Sequence, residues 1–277
     1  YRNFALINMN SDLEQKESSN ILYQIHNSIH QLLHNHTAVT DFDKCYNYIQ
    51  QNKKNIQSDE LKDCVILLIS IAIWQVNHGL ENSTERLFNL NHFLIENNII
   101  LEQDNTITPA IYKNITTVGL YLNKLDYVDN FIESYKDNLP EEVKEDVYGY
   151  NKAHFLYYKK EYENVLQLIS TTKYKDVFYR LSSRVLLIKT YYALEKTDAS
   201  YFDILSNSIN AFKKYVYTNE ELNDYYKTRY KNFIKAVLKL IQLNTDKIVT
   251  KKYIEELTAN KDVLEQKWLI NKAEEML

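Results

Sequence analysis

Three glycines and two prolines in 277 residues constrain this chain more than any motif does. Sheets with tight turns, phosphate-cradling loops and doubly wound folds place glycine at their corners. A chain this poor in glycine is left with helices joined by short polar connections, so the expected fold class is all-α. Hydrophobic residues make up 45 % of the chain, yet 24 tyrosines supply much of that share and the mean hydropathy is -0.47. Tyrosine buries a ring while keeping its hydroxyl at a wet edge, which suits thin helical layers and binding surfaces alike.

The longest apolar run, Cys64 to Trp74, is too short to cross a bilayer and is followed by Gln75, Val76, Asn77 and His78. It reads as a buried helix, and no membrane partner is expected. No charged-then-apolar leader opens the chain. It starts at Tyr1 rather than Met, so a processed protein or a fragment is expected. Cys45 and Cys64 sit among hydrophobic neighbours in predicted helices and read as buried free thiols, pointing to a reducing, cytoplasmic setting. The Asn-x-Ser/Thr matches at Asn35, Asn82 and Asn114 are what chance gives in an Asn-rich chain, and no glycosylation is expected.

Residues 1–10 read as a lead-in. Apolar positions at Leu22, Ile25, Ile29, Leu32 and Leu33 then predict a helix over 12–34. Thr40 with Asp43 predicts a capped second helix to about Lys54, and Ser58 starts a third that ends at Gly79. Asn82 with Glu85 starts the fourth, ending near Glu96. Ile99, Ile100 and Leu101 are expected to anchor the polar connection that follows. Thr108-Pro109 is a cap with Pro at the first helical position, Asp126-Tyr127 opens the sixth helix, and Leu139-Pro140 with Glu141 and Glu142 repeats the start signal. Later helices are predicted over 140–160, 162–171, 176–196, 200–216, 219–243, 247–258 and 261–276, with Thr218 to Glu221 as a capping box.

Tyr157-Tyr158, Tyr191-Tyr192 and Tyr225-Tyr226 recur at a spacing of 34 residues, and Lys124 to Tyr127 matches Lys159 to Tyr162 at an offset of 35. A period of 34 is that of a helix-pair solenoid. Over residues 109–216 the chain resembles the tetratricopeptide-repeat family. Ala153, Leu156, Tyr157, Glu161-Tyr162, Val165 and Ile169 stand at that pattern's positions in the clearest unit. Gly119, Tyr121, Leu122, Asp126-Tyr127, Phe131 and Tyr135 stand there in the unit before it. The family's tryptophan and its leucine-glycine pair are absent, and its closing proline survives only at Pro140. The chain also resembles uncharacterised bacterial helical-repeat proteins that end in a Trp-Leu helix, as Trp268-Leu269 does here.

The resemblance implies a right-handed α-solenoid of antiparallel pairs, about 12–13 helices in all. Residues 1–57 would cap the stack, 58–258 would form the pairs 58–98, 109–138, 140–172, 176–216 and 219–258, and 261–277 would cap the other end. It also implies a concave face that holds a peptide, a partner helix or another domain of a longer chain. Repeat position places Tyr157, Tyr158, Arg184, Lys189, Tyr191 and Tyr192 on that face, with one ring of each tyrosine doublet turned inward.

Two further constellations stand out. His26, His30 and His34 fall one turn apart, a spacing that can ligate zinc, but each step drifts by about 40° around the helix, so a solvated face is the plainer expectation and no metal is assigned. Residues 210–252 hold ten basic residues against four acidic ones. Lys227, Arg229, Lys231, Lys235 and Lys239, interleaved with tyrosines, could meet a phosphate backbone. A pI near 6.0 argues against nucleic acid as the partner. No phosphate loop, nucleophile elbow or H-E-x-x-H occurs. The expectation is a non-enzymatic scaffold for a protein or peptide, without a cofactor.

Overall fold

Thirteen α-helices, two short 3-10 helices (Lys53–Asn55 and Lys136–Asn138) and no strand make up the regular structure of the residues described by the computed structural model, 20–243 and 246–277. They divide into two compact units, Tyr1–Lys159 and Lys160–Leu277. The first holds α1 (Ile21–His34), α2 (Val39–Asn52), α3 (Ser58–Asn77), α4 (Ser83–Glu96), α5 (Pro109–Tyr121), α6 (Leu125–Tyr135) and α7 (Lys144–Tyr158). The second holds α8 (Tyr162–Thr171), α9 (Val177–Glu195), α10 (Tyr201–Thr218), α11 (Asp224–Gln242), α12 (Lys247–Ala259) and α13 (Gln266–Glu274). The predicted lead-in, and the part of the first predicted helix before Asn20, lie outside the described residues.

Short connections make neighbouring helices antiparallel. In the first unit each helix packs on the next, and α1 also meets α3 and α5 meets α7. In the second unit α8, α9, α10 and α11 pack in succession, α12 packs on α13, and α13 returns to α11. These contacts are compatible with a helical repeat. The buried cores are aliphatic and aromatic, with Ile25, Phe42, Leu68, Leu90 and Tyr112 fully enclosed in the first unit and Ile209, Phe212, Phe233 and Leu269 in the second.

Asparagine explains how the chain turns with so little glycine. Helix α3 ends on Gly79 at φ 70°, whereas α4 and α5 end on Asn98 and Asn123, both at φ 55°. All three close the same pair of bonds, as in Asn123 N–H to Leu120 O (3.0 Å) and Lys124 N–H to Gly119 O (2.9 Å). That is the Schellman geometry, and asparagine is the side chain that best tolerates it after glycine. Tyrosine takes a second structural role. The fully buried Tyr112 on α5 donates to Ile132 O of α6 (2.9 Å), and Tyr253 on α12 donates to Ala236 O of α11 (2.8 Å). Each hydroxyl is satisfied by the neighbouring helix, so the ring can be buried whole.

Several predicted starts shift. Thr108 caps α5 as expected, accepting from Ile111 N–H. Helix α7, however, begins at Lys144 and not at Pro140. Residues 140–143 form a turn closed by Val143 N–H to Pro140 O (3.1 Å), because buried Leu139 and the Ile107 N–H to Asn138 O bond pin the chain first. Thr218 caps nothing. Its hydroxyl donates to Lys214 O at the end of α10, and Asn223 caps α11 after Leu222 has been buried. Thr40 lies inside α2, and Asn82 precedes α4 in a left-handed conformation with no side-chain cap.

The offset between the matching helix starts also differs from the expected one. The left-handed residues Asn123 and Lys160 and the first residues of α6 and α8 are 37 apart, not 35. At that offset Val128 matches Val165 and Ile132 matches Ile169, all four buried. The tyrosine doublets fall at different heights on their helices: at the end of α7, near the end of α9 and in the first turn of α11. Their 34-residue spacing therefore does not mark equivalent positions. The boundary between the two compact units also falls inside the stretch 140–172 that was read as one pair.

Candidate binding surfaces

The six residues expected on a concave face are divided between the units. Tyr157 and Tyr158 end α7, where Tyr158 is 39 % exposed and stands edge-on to Tyr157 (6.2 Å) and His154 (5.3 Å). Arg184, Lys189, Tyr191 and Tyr192 all lie on α9. Lys189 and Tyr192 are interior residues, which corrects the expectation for both. Lys189 Nζ bonds Glu265 Oε2 at 2.7 Å beneath the Trp268 ring, and Tyr192 packs edge-on to the same indole at 5.5 Å. Burial, with Glu275 and Glu195 nearby, pushes the Tyr192 hydroxyl up to about 12. Together they fasten α13 to α9. Tyr191 is half-buried against Tyr201, whose hydroxyl donates to Glu163 (2.9 Å), and Arg184 lies 4.4 Å over the ring of Tyr215.

The basic residues of α11 are spread over aromatic rings and carboxylates. Lys227, Lys231, Lys235 and Lys239 follow one another at four-residue steps, so their row winds gradually around the helix. Lys231 sits 4.4 Å over Tyr217, and Arg229 sits 5.6 Å over Tyr225. Lys239 pairs with Glu256 and reaches the Tyr253 ring, while exposed Lys235 borders a shallow cleft of about 180 Å³.

One surface had no signal strong enough to find from sequence. At the end of the second unit where α9 and α11 begin and α10 finishes, Phe178, Tyr217 and Tyr225 are 45 %, 52 % and 58 % exposed. Phe178 meets Tyr226 edge-on at 5.2 Å, and Tyr226 meets Tyr225 at 5.3 Å. Arg180 Nη2 bonds Glu221 Oε2 at 2.9 Å. The Nε atoms of Arg180 and Arg229 and the hydroxyl of Tyr215 are enclosed with no acceptor among the described residues. Residues 178–180 and residues 215–229, about forty positions apart, supply these groups, which a linear reading cannot bring together.

A cleft of about 560 Å³ lies between α2 and α4 in the first unit. Its polar groups mostly satisfy one another. Arg86 forks onto Asp43 (2.8 and 3.2 Å), His92 Nε2 meets Glu96 at 3.1 Å, and Tyr46 donates to Asn89 O at 3.2 Å. Burial, seconded by Glu96, pushes the Tyr46 hydroxyl up to about 12, so it stays protonated at neutral pH. The buried thiols Cys45 and Cys64 are likewise pushed up, to about 12 and about 11, which keeps them from acting as thiolates. On α1, His30 and His34 are exposed with ring centroids 4.4 Å apart, and the Nδ1 of His34 lies 2.8 Å from His30 O. Among the described residues no three His, Cys, Asp or Glu are grouped to hold a metal ion, and no helix is long and apolar enough to cross a membrane. Comparison with known proteins gives no match, whether to a family model, to a curated protein or to a solved structure.

Proposed function

We propose that the chain is a non-catalytic scaffold for a protein or peptide partner, each unit being a short stack of antiparallel helix pairs of the right-handed tetratricopeptide-like type. The observation that carries this reading is the order of contacts. Each helix of the first unit packs on its chain neighbour, and second neighbours meet as α1 with α3, α5 with α7 and, in the second unit, α11 with α13. A lone helix pair cannot bury both its apolar faces, so pairs stack and leave one layer of helices open to a ligand. In the first unit that layer would include α5 and α7, which end in the exposed rings of Tyr121 (55 %) and Tyr158. Exposed tyrosines on rigid helices are economical contact residues because little conformational freedom is lost on binding.

The test is quantitative capture of proteins from a lysate of the source cells by immobilised chain, compared with Tyr158→Ala and Tyr225→Ala. Both rings are exposed, so the melting curve of either variant should match the parent. A partner whose recovery drops with one of them, while that curve holds, supports the scaffold. Identical recovery by all three proteins, or tyrosine effects confined to stability, would defeat it.

A further inference from the structure

The aromatic and cationic end of the second unit carries more than a general capacity to bind. We propose that the end where α9 and α11 begin and α10 finishes docks a short peptide segment presenting one or two carboxylates beside an apolar side chain. This rests on the scaffold reading and names its partner's chemistry.

Three enclosed donors there lack acceptors among the described residues: Nε of Arg180, Nε of Arg229 and the hydroxyl of Tyr215. Those enclosed atoms have no surface for a ligand, but a guanidinium offers five N–H groups in one plane and accepts nothing, and Arg180 and Arg229 are only partly buried, so their outer nitrogens are left to take an oxygen from outside. Arg180 spends one nitrogen on Glu221 (2.9 Å), and Arg229 spends one on a long contact to Tyr225 Oη (3.4 Å). A carboxylate can take two parallel bonds from such a fork, and Glu221 already takes one from Arg180. Beside the arginines, Phe178, Tyr217 and Tyr225 expose about half their surface. Tyr217 and Tyr225 each have a cation against one face, at 4.4 and 5.6 Å. These rings form a preset apolar platform, which lowers the ordering cost of a ligand.

Charge favours the same partner. Residues 160–277 hold twenty basic against sixteen acidic residues, while 1–159 hold thirteen against twenty-one. The positive balance attracts an anionic segment. Asp176, Glu221 and Asp224 stand at the same helix starts, and they would repel a continuous polyphosphate more than a segment with one or two charges.

The experiment is selection of a displayed dodecapeptide library on the purified chain, then fluorescence anisotropy of the enriched peptides and of oligodeoxythymidine. Enrichment of Asp or Glu next to Leu or Phe is expected, with affinity about tenfold lower for Arg180→Gln, Arg229→Gln and Tyr225→Ala. Tyr225→Ala removes an exposed ring, so it reads binding even if an arginine variant melts early in circular dichroism. Peptides without acidic enrichment, or bound equally by all variants, overturn this docking site and leave the scaffold reading standing. Tighter binding of oligodeoxythymidine, lost in the same variants, overturns it in favour of nucleic acid. No enriched peptide at all overturns this docking site and leaves the scaffold reading to the capture experiment.

Discussion

Gly119→Ala should destabilise the first unit, although alanine is the better helix former. A Cβ built on Gly119 would lie 2.4 Å from Val128 Cγ2, where α5 crosses α6. Ordinary contact needs about 1 Å more, and Val128 is fully buried with no open side to retreat to. Overpacking of this kind costs about 1–3 kcal/mol. Replacing a mid-helix glycine by alanine returns about 1 kcal/mol. The net expectation is a loss of up to about 2 kcal/mol, or up to roughly 1 M in the urea midpoint at a typical slope. Trp74 lies in the same unit, so its fluorescence in a Trp268→Phe background reports this unfolding directly. Val128→Ala alone should cost about 2 kcal/mol for the emptied volume. The double variant should recover at least about 1 kcal/mol of the summed loss, since the new methyl fills the space the valine leaves. A midpoint raised by Gly119→Ala, or strict additivity of the pair, would show that the α5–α6 approach is not as close as described.

Three further outcomes are expected. Tyr112→Phe and Tyr253→Phe remove hydroxyls bonded to buried carbonyls, and each should cost about 1–2 kcal/mol by urea titration while leaving helix content unchanged. Asn123→Gly should hold or slightly raise stability, and Asn123→Ala should lower it by about 1 kcal/mol, because φ there is 55°. Alkaline titration should unfold the chain. Burial raises the hydroxyls of Tyr46, Tyr127 and Tyr230 from 10.0 to about 12. A raised folded value means their stabilising contribution is complete below pH 10 and is lost as pH climbs towards 12. Absorbance at 295 nm and far-ultraviolet circular dichroism should then change together in that window, and tyrosine ionisation without loss of helix would contradict the burial.

Local chemistry made much of the helix pattern readable. Thr108-Pro109 could only be a helix start, and α8 follows its apolar spacing so closely that both of its predicted ends match. The candidate site was far less legible. Tyr191 and Tyr192 are adjacent and chemically alike, yet Tyr192 is sealed against Trp268 from 76 residues further on, while Tyr191 stays half-open. Lys189 reads as a surface cation until Glu265, in a left-handed turn, is seen to cover it. At Thr218 a valid capping sequence lost to the need to bury Leu222 before α11 could begin.

The sequence by itself determined that the described chain is helical and roughly where each helix lies, because backbone propensity, capping and apolar spacing act within a turn or two. With three glycines in the chain, it also determined that most left-handed turns would fall to other residues. Only the tertiary structure decided which helix starts match, the side of the surface on which each tyrosine falls, and the meeting of Phe178 with Tyr226, Arg180 with Glu221 and Arg229 with Tyr225. Burial is a property of helices packed together, and residues far apart in the chain set it. No local pattern carries that information.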